Sequence, residues 1–267
     1  MSKVKFGVIG AGGIARRKTI PGMLQADNIE LAAVMDPVGI EEIAAEFGVP
    51  RACTTVEELL SDPELQAVYI ASPVSMHLAQ IKACATAGKH VLCEKPLTLS
   101  LAETHEAVAA CSAAGVFLQE GYMMKFHGAH QAIRQAIEAG QIGTIVYMRA
   151  QLSCWYPPIP GAWRQDPASG GGGSLIDLAT HLYDLLEYFA GPIAKIVALT
   201  AHGDFRPFAL INVFRRLAHF GNVMTGTKAG AGPFDNNNAR TLVYFGFFQS
   251  VAQLTQHLPI KGVSLFG

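Results

Sequence analysis

Titratable side chains come close together at two places in the sequence. The tripeptide Glu94-Lys95-Pro96 follows a short apolar run and sets one acid and one amine beside a rigid imino ring. Asp177 and His181 are four residues apart, a spacing that puts both on one face of a helix. A desolvated lysine or a histidine can titrate near neutral pH, so Lys95 and His181 are candidates for proton transfer. The plainer alternatives are a solvated loop lysine and a helix histidine bonded to Asp177.

A glycine-rich turn near the N-terminus is typical of phosphate binding. An apolar run ends in the turn Gly10–Ala15, which matches Gly-x-Gly-x-x-Ala and leads into a segment predicted to be helical up to Gln25. A second apolar run ends about 20 residues further on at Asp36, where an acid can bond the hydroxyls of a ribose. A chance glycine turn remains the alternative. The cofactor-binding residues predicted here are Gly10, Gly12, Gly13, Ile14 and Asp36.

Apolar runs and helical patterns alternate through the first half of the chain, which predicts β-α-β units and a parallel sheet. Buried strands are predicted at 67–71 and from Val91 onwards, followed by a helix at 100–114 and a strand at 116–119. Ligands bind at the carboxyl ends of parallel strands, so the residues that follow these strands are site candidates. These candidates are Gly10, Asp36, Ser72, Pro73, Glu94 and Lys95.

The pattern changes after Tyr122. Residues 126–139 predict an amphipathic helix, and residues 142–151 predict a strand. The stretch 153–173 is rich in proline, glycine and tryptophan, which is typical of a loop that lies over a site. A helix is predicted to follow, with Asp177, His181 and Asp184 on one flank. Its predicted buried positions are Leu175, Leu178, Leu182, Leu185 and Leu186.

Composition excludes several classes of protein. The chain has 267 residues, half of them hydrophobic, and a net charge of −1, which suits one large or two ordinary domains. It lacks the basic excess of a nucleic-acid-binding protein, and its apolar runs are broken before they could span a bilayer. The five cysteines are widely spaced and suit reduced thiols better than disulfides or a zinc site. We therefore expect a cytoplasmic protein with no metal site and with neither nucleic acid nor membrane as a partner.

Several motifs, in the right order, resemble the Gfo/Idh/MocA family of NAD(P)-dependent oxidoreductases, which act mainly on sugars, inositols and related polyols. The glycine turn looks like the family's nucleotide fingerprint. Two stretches are similar to the family's central signature. The first is Ala71 to Pro73 with His77, and the second is the apolar run that leads into Glu94-Lys95-Pro96. The residues from Trp163 to His181 resemble its substrate-side motif. The resemblance covers the range 3–201.

The resemblance implies roles for individual residues. Lys95 would lie near the reacting hydroxyl and the nicotinamide, His181 would be the acid/base partner, and Asp177 would bind substrate or orient that pair. These residue types suit the oxidation of a secondary alcohol, because a base must take the hydroxyl proton while hydride leaves for the nicotinamide. The predicted substrate-binding residues are Tyr122, Trp163, Arg164, Asp177 and His181. Ser72, Pro73, His77, Glu94 and Lys95 join the cofactor-binding set, with a structural role as the alternative for His77.

The predicted fold class is α/β. A Rossmann domain, with a doubly wound parallel sheet, is expected over residues 1–120, and a substrate-binding α+β domain with a mainly antiparallel sheet over residues 121–267. Family members continue through several long strands that often carry an oligomer interface, so the resemblance implies a homo-oligomer through that sheet. Residues 203–267 do not follow this plan, since only 241–248 has a convincing strand pattern. A divergent tail, a truncation and a reading-frame change would each explain that, and the sheet is expected to be incomplete or irregular there.

Together these features favour an oxidoreductase that transfers hydride between the CH–OH group of a sugar, inositol or related polyol and NAD(P). Asp36 favours NAD over NADP, because its charge would repel a 2′-phosphate. The alternative is a non-catalytic dinucleotide-binding protein, a sensor or an inactive relative with an incomplete substrate domain. Lys95, Asp177 and His181 favour the enzyme, whereas the tail favours the alternative.

Overall fold

The apolar runs of the first half form one parallel sheet. The computed structural model describes residues 3–152, 157–166, 170, 173–196 and 211–212. Six strands lie side by side in the order β3-β2-β1-β4-β5-β6, all parallel, so the winding reverses between β1 and β4. This reversal opens a crevice at the carboxyl ends of those two strands, and the predicted doubly wound sheet is confirmed. The strands are β1 (Val4–Ile9), β2 (Ile29–Met35), β3 (Arg51–Cys53), β4 (Ala67–Ile70), β5 (His90–Cys93) and β6 (Leu118–Glu120).

Helical segments connect these strands. The glycine segment (Ala11–Thr19) follows β1, and its backbone leaves helical angles at Gly12 and Gly13 before it continues as α1. Thr55 and Ser100 begin two of the later helices, because their hydroxyl oxygens accept hydrogen bonds from backbone amides three residues on. The helices are α1 (Ile20–Gln25), α2 (Ile40–Phe47), α3 (Val56–Leu60), α4 (Val74–Thr86) and α5 (Leu101–Ala114).

Alternation along the strands sends side chains to two apolar cores, one on each face of the sheet. In β4, for example, Val68 and Ile70 belong to one core and Tyr69 to the other. Burial on both faces explains why β4, near the middle of the sheet, is a continuous buried run. One core includes Ile9, Ala33, Val68, Ile70, Ile81, Val91 and Cys93. The other includes Val8, Ala15, Ile20, Leu31, Val34, Ile40 and Tyr69.

Lys89, in the turn before β5, is a buried cation. It is 6% exposed, and its Nζ donates to the carbonyl oxygens of Asp62 at 2.9 Å, Leu65 at 2.7 Å and Pro63 at 3.4 Å. These three carbonyls replace the water that an ammonium group would otherwise bind. The side chain therefore fastens the turn that leads into β4 to the turn that leads into β5.

We expect Lys89→Met to lower the free energy of unfolding by about 2 kcal/mol, because the buried carbonyls lose a charged donor. Urea unfolding of the two proteins measures this loss. Lys82→Met is the matched control, since Lys82 is about half exposed and pairs with Glu106 at the surface. Its ion pair is worth less than about 1 kcal/mol. Equal losses in the two variants would contradict the role given to Lys89.

The chain divides into two compact units, of which the first comprises residues 1–122 and 159–173. The second comprises residues 123–158 and 174–267. Residues 159–173 thus group with the first unit, although the predicted boundary near residue 120 would put them in the second domain. That boundary stays a prediction. Among the described residues, no helix is both long and apolar enough to cross a bilayer.

The second unit is mainly helical where it is described. A short turn (Met124–Phe126) precedes α6 (Gly128–Glu138), and α7 (Ser174–Asp177) precedes α8 (Ala179–Ala190). Two short strands, β7 (Arg149–Ala150) and β8 (Ile211–Asn212), pair in antiparallel fashion. The buried core of this unit consists of Met148, Ala150, Leu152, Ala179, Leu182, Leu185, Leu186 and Phe189.

Two predictions for the second unit need correction. The strand predicted at 142–151 is confined to Arg149–Ala150, the two residues that pair with β8. Its predicted start lies instead in a turn, in which the Gly143 amide donates to the Gly140 carbonyl. The helix predicted after residue 174 is interrupted at Leu178, so that α7 and α8 are separate. Most of the predicted irregular tail, 203–267, and the strand predicted at 241–248 lie outside the described residues.

Candidate active site

Gly10 holds the first turn against the end of β4. Its φ is +76°, and a Cβ atom there would lie 2.6 Å from the backbone nitrogen of Ser72. The Gly10 amide donates to the carbonyl of Met35 at 2.9 Å, which joins the turn to the end of β2. Only glycine fits a left-handed backbone with so little room. The ends of β1, β2 and β4 are therefore locked together at this edge of the sheet.

Asp36 follows β2 and is oriented by the glycine segment. Its Oδ2 accepts a hydrogen bond from the Gly12 amide at 3.1 Å, and its Oδ1 lies 3.4 Å from the Val38 amide. A Cβ atom on Gly12 would lie 3.3 Å from Oδ2, so a larger residue would crowd this contact. An ionised carboxylate has about four acceptor positions, so Asp36 keeps capacity for ligand hydroxyls.

The predicted site residues after β4 are tied to the loop after β5 by His77. The Nε2 atom of His77 lies 2.9 Å from the Ser72 carbonyl oxygen, and its Nδ1 lies 3.1 Å from the Pro96 carbonyl and 3.2 Å from the Leu97 carbonyl. Burial lowers the pKa of His77, although these carbonyls oppose that shift. With both ring nitrogens facing backbone carbonyls, the geometry fits the structural alternative for His77. Pro73 directly precedes α4.

Glu94 and Lys95 follow β5. The Oε1 atom of Glu94 accepts a hydrogen bond from the Tyr69 hydroxyl at 2.6 Å, and its Oε2 accepts one from the Lys95 amide at 3.2 Å. The peptide bond between Lys95 and Pro96 is cis. Lys95 is partly buried at the same edge of the sheet as the glycine turn. Tyr69 was not predicted from the sequence, although strand alternation puts it on the face of the sheet that Leu92 and Glu94 share.

The other predicted substrate-binding residues of the first unit lie on loops. Tyr122 comes just after β6, and Trp163 and Arg164 belong to the short helical turn Trp163–Gln165. The Arg164 guanidinium lies 4.3 Å from the centre of the Trp163 ring, a cation–π contact that covers one face of the indole. Only the opposite face of Trp163 would remain for stacking on a sugar ring.

In the second unit, an ion pair lies next to the predicted acid/base residue. Asp177 is the last residue of α7, whereas His181 and Asp184 belong to α8. The Lys125 Nζ donates to Asp184 Oδ1 at 2.7 Å, and the Asp184 side chain is only 13% exposed. Because Asp184 is three residues after His181, its carboxylate lies on the same side of the helix. Lys125 was not predicted from the sequence, since nothing in its neighbourhood there distinguishes it.

The first unit thus gathers most of the predicted cofactor-binding residues at one edge of its sheet. The turn after β1 supplies Gly10, Gly12, Gly13 and the partly buried Ile14. Asp36 follows β2, Ser72 and Pro73 follow β4, and Glu94 and Lys95 follow β5. No group of three His, Cys, Asp or Glu side chains that could hold a metal ion occurs in the described part of the chain.

Known families match both parts of the chain. Residues 4–122 match the oxidoreductase family with an NAD-binding Rossmann fold, Gfo/Idh/MocA. Residues 130–229 match the C-terminal domain of the same family. The second match continues past His202, into the region that the sequence patterns left irregular.

Similar proteins include sugar-metabolising enzymes. The 1,5-anhydro-D-fructose reductase of Ensifer adhaerens is 37% identical over 186 residues, which are 69% of this chain and 56% of the relative. The uncharacterized oxidoreductase YrbE of Bacillus subtilis strain 168 is 30% identical over 257 residues, which are 93% of this chain and 70% of the relative. Levoglucosan dehydrogenase, solved with NADH, is 25% identical, with a TM-score of 0.68 over 76% of this chain and 57% of that one. The chain belongs to the Gfo/Idh/MocA family of oxidoreductases.

Proposed function

We propose that this protein is an NAD(P)-dependent dehydrogenase that transfers hydride between the CH–OH group of a sugar, inositol or related polyol and the nicotinamide. The observation that carries the proposal is the edge of the first sheet, where the glycine turn, Asp36 and Lys95 follow the carboxyl ends of the parallel strands β1, β2 and β5. The similarity to a sugar reductase and to levoglucosan dehydrogenase supports the substrate class. The chain spans little more than half the length of these two proteins, so the activity of the whole protein is part of the proposal.

The residues at this edge fit a dinucleotide. Gly10 has no room for a Cβ atom beside Ser72, and a Cβ atom on Gly12 would crowd Asp36. Because neither residue carries a side chain, the backbone there can approach a pyrophosphate closely. Asp36 would accept hydrogen bonds from the adenosine ribose, and Ser72, Pro73 and Glu94 would line the path towards the nicotinamide. The nicotinamide, when bound, supplies the hydride acceptor.

In the proposed reaction His181 takes the proton of the substrate hydroxyl, and Lys95 stabilises the developing alkoxide with its ammonium group. The reverse assignment uses the same two groups. Asp177 would bind a substrate hydroxyl or orient His181, while Tyr122, Trp163 and Arg164 would contact the ring of the substrate. Proton transfer by such groups is worth about 10²–10⁴ in rate.

A second candidate function is a non-catalytic dinucleotide-binding protein, such as a sensor. It is favoured by residues 203–267, whose sequence does not follow the strand pattern expected of the family's second domain. A panel of sugars and polyols with NAD and with NADP, followed by nicotinamide absorbance, separates the two functions. Turnover of at least one substrate is expected, whereas cofactor binding without any turnover would favour the sensor.

Cofactor choice gives a further prediction. NAD should bind better than NADP. Asp36→Ser should narrow the difference in binding free energy between the two cofactors by about 1.5–3 kcal/mol, because it removes the charge-assisted hydrogen bond to the ribose of NAD and the repulsion of the 2′-phosphate of NADP. Titration of cofactor binding with both nucleotides measures this. Asp36→Asn is a companion variant of similar shape: it removes the charge and replaces one acceptor oxygen with an NH2 donor, so it should also narrow the difference between the two cofactors. Equal affinity of the unaltered protein for NAD and NADP would rule out the role of Asp36.

The cellular setting is also part of the proposal. The four cysteines in the described part of the chain are free and buried, which suits a reducing compartment such as the cytoplasm. A homo-oligomer through the C-terminal sheet stays a prediction, because most of that region lies outside the described residues.

A further inference from the structure

Tyr69 lies outside the predicted site, yet its hydroxyl joins two parts of that site. The residue is 2% exposed in β4. Its hydroxyl oxygen lies 2.6 Å from Glu94 Oε1 and 3.0 Å from the hydroxyl oxygen of Thr19, at the end of the glycine segment. A short polar chain therefore crosses an otherwise apolar core, from the segment after β1 to the loop after β5.

The hydrogen bonds of this chain have a fixed direction. A tyrosine hydroxyl has a single hydrogen, and an ionised carboxylate can only accept. Tyr69 therefore donates to Glu94, and Thr19 donates to the Tyr69 oxygen. Burial, followed by the nearby charge of Glu94, raises the pKa of Tyr69, so the hydroxyl keeps its proton at neutral pH.

The same contact fixes the carboxylate of Glu94. One of its oxygens accepts from Tyr69 and the other accepts from the Lys95 amide, so rotation of the carboxylate breaks at least one bond. The Glu94 amide also donates to the Ile70 carbonyl at 2.8 Å, which holds the main chain in line with β4. The side chain and the main chain of Glu94 are thus both anchored to β4, one residue before Lys95.

We propose that Tyr69 is a positioning residue for the reaction: its hydroxyl immobilises the Glu94 carboxylate, and through it the peptide from which the Lys95 side chain projects. This role rests on the proposed function of Lys95. A charge-assisted hydrogen bond inside the protein is strong enough to hold such a geometry. Tyr69 itself touches neither substrate nor cofactor in this proposal.

The test compares Tyr69→Phe with Thr19→Val. Tyr69→Phe should lower kcat about tenfold and leave KM within about twofold, because positioning of the reacting group is lost but binding is kept. Exchange of the Lys95 backbone amide with deuterium should also become at least about fivefold faster, since its acceptor is released. Thr19→Val removes the hydrogen bond between Thr19 and the Tyr69 hydroxyl but keeps the one from Tyr69 to Glu94. The value of kcat and the exchange rate of the Lys95 amide should therefore each change less than about twofold.

A Glu94→Ala background shows whether Tyr69 acts through the carboxylate. There, Tyr69→Phe should have no further effect on kcat or on amide exchange. An unchanged Lys95 exchange rate in Tyr69→Phe, or a loss of kcat that is equally large with and without Glu94, would overturn the positioning role. If the unaltered protein turns over none of the substrates, the proposed function fails, and the exchange rates alone then support or overturn the anchoring by Tyr69.

Discussion

Lys95→Met and His181→Ala are each expected to lower turnover by about 10²–10⁴-fold and to leave NAD affinity nearly unchanged. The reason is chemical: each change removes one of the two groups proposed to handle the proton and the charge of the substrate hydroxyl. The pyrophosphate and the adenosine ribose are expected to contact other residues, namely the glycine turn and Asp36. Steady-state turnover and a separate NAD titration measure the two quantities.

Two matched controls accompany this experiment. Lys82→Met removes an exposed lysine from α4, and His105→Ala removes an exposed histidine from α5, so neither should change turnover by more than about twofold. Near-normal turnover in both Lys95→Met and His181→Ala, in folded proteins that still bind NAD, would mean that other residues carry the chemistry.

Gly10→Ala should weaken NAD binding about 100-fold and lower the free energy of unfolding by about 2–4 kcal/mol. Two costs add up at this position. A Cβ atom is disfavoured at a φ of +76°, and it would meet the backbone of Ser72 at 2.6 Å, so the crevice between β1 and β4 must widen. NAD titration and urea unfolding give the two numbers.

Gly115→Ala separates these two costs. Gly115 has a φ of +67°, but a Cβ atom there would meet nothing within 4 Å. Only the backbone penalty of about 1–2 kcal/mol applies to it, and NAD binding should stay unchanged. If both alanine variants lost the same stability and bound NAD equally well, the close approach of Gly10 to Ser72 would not matter for the cofactor.

The sequence predicted the first sheet well, because its strands are buried on both faces and its glycine turn has a specific form. Short elements were predicted poorly. Strand β3 has only three residues, too few for a recognisable periodic pattern, and it was not predicted. Strand β7 has only two residues and was predicted too long, at 142–151. Both strands depend on pairing with partners that are distant in the chain, β2 and β8.

The candidate site was predicted where residues carry their chemistry in a motif, and it was missed where chemistry depends on contacts between distant residues. Gly10, Asp36 and Lys95 could be identified from strand ends and spacing. The partners Tyr69 and Lys125 could not, because they are 25 and 59 residues away from the carboxylates that they bind. A tyrosine inside an apolar run predicts burial, but it does not indicate which acid its hydroxyl will reach.

The position of His77 limits how the loops of the first unit can be engineered. The imidazole ring of His77 fits between the carbonyl of Ser72 on one side and those of Pro96 and Leu97 on the other, so the two loops must keep their present distance. A neutral imidazole has one N–H, so an insertion in the loop whose carbonyl accepts from it would leave a buried donor unsatisfied, which costs about 1–3 kcal/mol. An insertion in the other loop would shift the backbone that packs against the opposite side of the ring. Libraries that vary loop length to change the substrate would therefore keep both of these loops at their present length.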